Sequence, residues 1–348
     1  MGANPRNAPD STDSAPCHAA LDVGSHTIRV LVVKVPEPGV LVPILQERHI
    51  ARLAKDYEEP SGLSREAMAR ALSILQGVAE RVEAFRPRTI RAGATGVVRR
   101  AVNGRDFLRR AAEVTGLQVP VLTEDEEALL SLRGMLGVLK RPEGPLLAFD
   151  LGGSSTEFSL AMPGAQVPCW TTSLFVGAAV LTQQFLERAP APPEAIRKAR
   201  RHVRVLLGPV CRAVKSAMGH RPDRWPVLVG TAGTVTTLAA MRLGMRGYVP
   251  YRINNQRLSA SWVCRTVERL SAMSLEQRRR IPGLEAGRED IILGGALIVE
   301  EILAAFEAEQ FIVTDAGLLE GLLLDGITRQ GPRTGAGGVP LTWEIKWD

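Results

Sequence analysis

The chain is poor in the residues that mark redox, zinc-binding or secreted domains. Its four cysteines, Cys17, Cys169, Cys211 and Cys264, lie far apart with no C-x-x-C pair. That spacing argues against a zinc ribbon, a redox dithiol or a disulfide-stapled fold, and fits a reducing compartment. Its five histidines, His18, His26, His49, His202 and His220, show no metal-ligand spacing. No uncharged apolar run approaches membrane-spanning length, and the opening stretch MGANPRNAPDSTDSAP has no apolar core of the signal-peptide kind. A soluble, cytoplasmic protein is expected. Neither G-x-x-x-x-G-K-[ST] nor G-x-S-x-G occurs, which excludes a P-loop and argues against an α/β-hydrolase.

What is present is a globular composition, 45% apolar and 23% charged over 348 residues, long enough that two domains are the first expectation. Net charge is +6, compatible with acidic partners or simply with a basic surface. The positive charge concentrates between Arg197 and Arg224, where Ile196, Val203, Leu207, Val210 and Val214 recur at helical spacing. This predicts an amphipathic helix over about 193–218 with a cationic outer side.

Elsewhere the pattern alternates as an α/β protein does. Strands are predicted around 18–22, 28–35, 41–50, 89–94, 146–150, 157–161, 226–230 and 310–314. Helices are predicted at 64–85, 104–115, 124–140 (opened by a Thr123/Glu126 capping box), 174–187, after Gly233, near 259–273 and 288–305, and up to about Thr328. Residues 1–16 and those from about 329 read as disordered tails.

One internal near-repeat stands out. Residues 21–30 read LDVGSHTIRV and residues 149–158 read FDLGGSSTEF; in each, an apolar strand ends in Asp, a small-residue turn follows and an apolar run resumes. Such a turn can be a plain hairpin. It can also be a nest of amides and hydroxyls that holds a phosphate, and the duplication favours the nest. Gly24, Ser25, His26 and Thr27 form one candidate nest, and Gly152, Gly153, Ser154, Ser155 and Thr156 the other. Asp22, Asp150 and Glu157 are candidates to hold a divalent cation beside bound phosphates. A third cluster, GTAGT, puts Gly230, Thr231, Gly233 and Thr234 at a strand-to-helix junction suited to an anion. Among the acids that open the helix at 124, Glu124, Asp125 and Glu126 are explained by capping and the helix dipole. Glu127 begins the second turn amid apolar residues, where a raised pKa would suit it to take a proton from water.

In order along the chain, DVGSHT (22–27), ATGVVRRAVN (94–103), TEDEEA (123–128), DLGGSSTE (150–157), GTAGT (230–234) and REDIILGG (288–295) resemble motifs of the exopolyphosphatase and guanosine pentaphosphate phosphohydrolase family. The resemblance covers roughly residues 18–327. It implies two actin-like (ribonuclease H-like) α/β domains of the actin, Hsp70 and sugar kinase superfamily around an interdomain cleft. Domain I would span 17–125, with the last helix (about 315–328) returning to it, and domain II 126–314. It also implies Mg²⁺ or another divalent cation, Glu127 as the catalytic carboxylate and Arg99 on substrate phosphate. The substrate would be inorganic polyphosphate, trimmed from its end, or guanosine pentaphosphate. Arg197, Arg201 and Arg204 are the expected track for the rest of a polyanion. No specific nucleic acid or membrane is expected as a partner, and the reading is compatible with a homodimer. His26, Ser154, Glu124, Leu129 and Leu319 depart from the family pattern, and a weakened polyanion-binding sensor is the non-enzymatic alternative.

Overall fold

The computed structural model describes residues 15–55, 57, 62–140, 143–165, 167–219, 225–247, 249–330 and 344–345. Strands β1 (Cys17–Val23), β2 (Thr27–Lys34) and β3 (Val40–Ile50) form an antiparallel meander, and helix α1 (Arg65–Ala84) leads to β4 (Thr89–Ala94), parallel to β1. Helices α2 (Val97–Arg100), α3 (Gly104–Thr115) and α4 (Glu124–Val138) follow. A second meander, β5 (Leu146–Leu151), β6 (Thr156–Ala161) and β7 (Trp170–Leu174), continues through α5 (Ala178–Phe185) and α6 (Pro193–Ala217) to β8 (Val227–Thr231), parallel to β5. The chain then runs through α7 (Ala232–Arg242), α8 (Pro250–Ile253), β9 (Gln256–Ser259), α9 (Ala260–Ser271), α10 (Leu275–Arg279), α11 (Ile292–Ala305), β10 (Gln310–Val313), α12 (Leu318–Gln330) and β11 (Glu344–Ile345). Two sheets result, ordered β11-β3-β2-β1-β4 and β7-β6-β5-β8-β10-β9.

Each sheet is covered on both faces, as buried parallel pairings require. Ser64 caps α1 by accepting from Ala67 N–H, and Met68, Ala71, Leu75, Val78 and Val82 form the stripe that it buries on the first sheet beside Phe107 of α3. The opposite face carries Leu318, Leu319, Leu322 and Leu323 of α12. On the second sheet, the stripe of α6 joins α7, α9 and α11 on one face, while Leu132, Met135 and Leu136 of α4 cover the other. The chain thus exchanges helices: α4 follows the first sheet but packs on the second, and α12 does the reverse.

These two helices touch backbone to backbone. A Cβ on Gly321 would lie 1.9 Å from Leu130 O, and one on Gly134 1.9 Å from Gly317 O. Small residues set this crossing, which ties the two sheets together.

Several expectations change. The helix expected over 174–187 is shorter, Ala178–Phe185 with Gly177 at its N-cap, and Leu174 instead ends an edge strand, Trp170–Leu174, that was not expected and pairs with β6. Residues 344–345, expected within a disordered tail, extend the first sheet by pairing with Val40 and Leu41. The tail expected over 1–16 lies outside the described residues up to 14. No helix among the described residues is long and apolar enough to cross a membrane.

The crossing yields a contrast. Gly321→Ala should destabilise the protein in urea unfolding by about 1–3 kcal/mol through overpacking. Gly137→Ala, on the same α4 but 3.7 Å from the nearest atom, Leu324 Cδ1, should be neutral or stabilise by up to about 1 kcal/mol through helix propensity.

Candidate active site

The two copies of the repeat are two hairpins with the same internal bond. Gly24 N–H donates to Thr27 O at 3.0 Å, and Gly152 N–H donates to Ser155 O at 3.0 Å. Asp22 therefore corresponds to Asp150, Ser25 to Gly153, His26 to Ser154 and Arg29 to Glu157. The ladders set Asp22 opposite Arg29 and Asp150 opposite Glu157. Directly opposed residues share a sheet face, and all four side chains line one cavity of about 90 Å³ between the sheets.

The hairpin tips meet across the cavity in a nearly reciprocal way. Ser25 Oγ lies 2.7 Å from Ser154 Oγ. In the complementary position, a Cβ on Gly153 would stand 3.0 Å from His26 Cβ. Each tip receives the other's next residue. Val97 N–H donates to Ser25 Oγ at 2.8 Å, and Gly96, at φ +54°, brings its backbone so close that a Cβ there would be 2.2 Å from the same oxygen.

The β8–α7 junction supplies a third wall through Thr231, Gly233 and Thr234, with the first amides of α7 nearby. Gly233 lets the Arg288 guanidinium lie where a side chain would otherwise be, 2.2 Å from the position of a Cβ. Glu127, in the second turn of α4 and 7% exposed, completes the lining. Arg99 Nη1 donates to its Oε2 at 2.7 Å and to Leu122 O at 3.0 Å.

Most of the residues singled out in the sequence converge here: Asp22, Gly24, Ser25, His26, Thr27, Glu127, Asp150, Gly152, Gly153, Ser154, Ser155, Glu157, Thr231, Gly233 and Thr234. Others do not. Thr156 is fully buried and donates its hydroxyl to Val176 O at 2.6 Å. Gly230 is small to admit the Phe149 ring, 2.5 Å from a Cβ. Arg99 stands behind Glu127 rather than on the wall. Arg197, Arg201 and Arg204 do not line the cavity, and Arg204 forms an ion pair with buried Glu301 while Arg197 pairs with Glu194.

Sequence reading missed Arg29, Arg48 and Thr95, which do line it. The register equivalence of Arg29 and Glu157 was the available signal for Arg29.

Comparison with known proteins places the chain in a family. A model of the Ppx/GppA phosphatase family matches residues 31–330. The chain belongs to this family. It is 32% identical over 318 residues to exopolyphosphatase 2 of Mycobacterium tuberculosis, spanning 88% of this chain and 97% of that one. It is 26% identical over 309 residues to a putative exopolyphosphatase of Haemophilus influenzae, spanning 88% and 90%. The crystal structure of the Aquifex aeolicus Ppx/GppA family member superposes with a TM-score of 0.75 at 26% identity, over 91% of this chain and 99% of that one. An exopolyphosphatase-like protein gives 0.82 at 25% identity, over 91% and 99%. The two-sheet architecture is thus the family's own.

Electrostatically, this Ppx/GppA cavity is strained by its acids. Burial raises the Asp22 carboxyl to about 7, with Arg29 opposing and Asp150, Glu127 and Glu320 adding to the rise. Burial likewise raises Glu127 to about 7 despite the bond from Arg99. Asp150 is raised by burial and Glu157 is raised well above the carboxylate range by burial and its acidic neighbours. Ser131 donates to Asp150 Oδ2 and Ser173 to Glu157 Oε1, each at 3.0 Å. Asp22 Oδ1 is enclosed with no hydrogen-bond partner. Burial lowers His26 to about 3, so its ring is neutral at physiological pH.

Such a set fits a divalent cation: hard carboxylate oxygens, one of them orphaned, in a cavity short of positive charge. Among the described residues no three or more His, Cys, Asp or Glu are grouped as a ready ligand cage, while the three candidates from the sequence, Asp22, Asp150 and Glu157, all line the cavity. Mg²⁺ is commonly held by one or two carboxylates together with waters and substrate phosphates, and Asp22 and Asp150 suit that mode.

The sign of the pH effect follows. Folded Asp22 and Glu127 retain protons to about 7, whereas their unfolded counterparts release them near 4. Their contribution to stability is therefore full below about 4 and is lost as pH rises to about 7. Asp22→Asn should raise the melting temperature of metal-free protein at pH 8 and shrink the further rise caused by Mg²⁺. Calorimetry showing Asp22→Asn no more stable than the parent at pH 8 would contradict the electrostatic reading.

Proposed function

We propose that the chain is an exopolyphosphatase that removes terminal phosphates from inorganic polyphosphate. The observation that carries this reading is a buried carboxylate, Glu127, set on the wall of a cavity that both phosphate-type turns enter. The names of the relatives point the same way. The two sheets, each with its exchanged helix, are read as two actin-like domains divided near residue 125.

The terminal phosphate would lie against the amides of the two hairpin turns and of α7, with Arg29 and Arg288 supplying positive charge. Ionised Glu127 accepts a proton from the attacking water as its oxygen bonds to the terminal phosphorus; the anhydride bond opposite breaks, and the shortened chain leaves with the electron pair. Arg99 acts as a positioning residue that fixes the Glu127 carboxylate. A bound divalent cation, held by Asp22 and Asp150, would offset charge on the transferring phosphoryl group.

The cavity is smaller than the roughly 300–1,000 Å³ typical of a drug-sized ligand pocket, so the rest of the substrate must lie elsewhere. A groove of about 720 Å³ adjoins it, sharing Arg29 and Arg48 and bearing Arg246, Arg279 and Arg280. This groove replaces the α6 track as the path for the chain. Its floor of Met245, Ile281, Pro282 and Leu284 also favours a second reading, guanosine pentaphosphate with its nucleoside there. Comparing kcat/KM for the two substrates separates them.

Glu127→Gln should lower orthophosphate release by roughly 10²–10⁴-fold while polyphosphate binding persists; an unaltered rate removes Glu127 from the mechanism. In the parent enzyme, kcat/KM should increase as pH rises through about 7, where Glu127 of the free protein ionises. Arg246→Glu should weaken affinity for long chains and reduce its salt dependence, whereas Arg201→Glu on α6 should leave both unchanged. The reverse pattern in a binding assay would restore the α6 track.

A further inference from the structure

The catalytic cavity has a second neighbour. A chamber of about 210 Å³ shares His26 and Ile291 with it, on a different side from the arginine groove, which shares Arg29 and Arg48. Its wall mixes charges, with Arg52 and Lys55 balanced by Asp290 and Glu187 and joined by the neutral polar Thr182 and Gln183. Arg52 Nη2 lies 3.5 Å from Asp290 Oδ2 and donates to Gly287 O at 3.1 Å. His26, 7% exposed, has its Nε2 enclosed without a hydrogen-bond partner, and the hydroxyl of Thr182 is likewise unpartnered.

This chemistry differs from that of the groove, where five arginines outnumber two acids, Glu47 and Glu285. The inner phosphates of polyphosphate carry negative charge and no protons, so they favour arginines and gain little from a wall of balanced charge. Free orthophosphate near neutral pH has both ionised oxygens and P–OH groups. It can therefore accept from Lys55 and Arg52 while donating to Glu187 or Gln183. It is also small enough for the chamber, whereas a nucleotide is not. A chain seated in the groove closes that side behind the newly cleaved phosphate, leaving the His26 side free.

We propose that the chamber bounded by His26, Arg52, Lys55 and Glu187 is a second orthophosphate site, through which the product leaves while the shortened chain stays in the arginine groove. The exit role rests on the exopolyphosphatase reading, but the binding site does not. His26 forms the partition: its ring belongs to both walls, and its orphaned nitrogen would find a partner in a phosphate oxygen or P–OH passing beside it.

Product inhibition tests the idea. Orthophosphate should inhibit polyphosphate hydrolysis with a noncompetitive component, because chamber and groove can be filled together. Lys55→Glu, a change at an exposed side chain, should raise the inhibition constant of that component by about tenfold or more and leave KM for polyphosphate within about twofold. Purely competitive inhibition of the parent enzyme, or an unchanged constant in Lys55→Glu, overturns the proposal. Equilibrium dialysis of the full chain with radiolabelled orthophosphate gives a readout independent of catalysis. Both Lys55→Glu and Ala179→Leu, which fills the chamber from α5, should lose one of the two orthophosphates bound by the parent, and an undiminished two in Lys55→Glu overturns the site. Loss of binding in a protein that hydrolyses no polyphosphate would sink the proposed function while leaving the orthophosphate site standing.

Discussion

Four carboxylates, Asp22, Glu127, Asp150 and Glu157, share one cavity, and at neutral pH their mutual repulsion and lost hydration oppose folding. The architecture around them holds that arrangement in place. Asp22 and Asp150 end paired strands at the same point of a duplicated hairpin, so their positions are set by ladder hydrogen bonds rather than by loops. Glu127 is set by a capped helix that packs on the second sheet while crossing the helix of the first. Burying four carboxylates in one cavity is the kind of cost that functional sites commonly carry in trading stability for activity.

Duplication explains both the symmetry of the site and its polarity. The reciprocal contacts of Ser25 with Ser154 and of Gly153 with His26 follow from two copies of one turn facing each other. The copies differ where it matters: opposite the first aspartate stands Arg29, and opposite the second stands Glu157. Arg29 extends the cationic side toward the groove, while Glu157 joins the acids. A symmetric scaffold thereby gains a cationic side, proposed to face the substrate tail, and an acidic side, proposed to face the metal and the water.

Much of this was legible in the residues. The periodicity of α1, the capping box of α4, the hairpin repeat and the placement of Glu127 amid apolar neighbours all had local causes, and local causes are readable. Arg99, Arg204 and Thr156 were harder because their roles depend on partners distant in sequence: Glu127, Glu301 and Val176 O. Arg48 lies on a long strand whose alternation does not reveal which face meets the cleft. Gly230 looked like part of a phosphate loop until the Phe149 ring gave it a packing role. The strand at 170–174, Trp-Thr-Thr-Ser-Leu, is short and only half-buried along its whole length, so it shows no apolar alternation, and its pairing with β6 is what defines it.

The measurement closest to the core of this account is proton release on metal binding. Titrating Mg²⁺ with tripolyphosphate into the Glu127→Gln protein at pH 7, in buffers of different ionisation enthalpy, counts the protons expelled. Asp22, raised to about 7 by burial, should be partly protonated before binding and ionised after it. The account predicts proton release beyond that of Mg²⁺ and tripolyphosphate alone, abolished by adding Asp22→Asn. Equal release with and without Asp22 would contradict it.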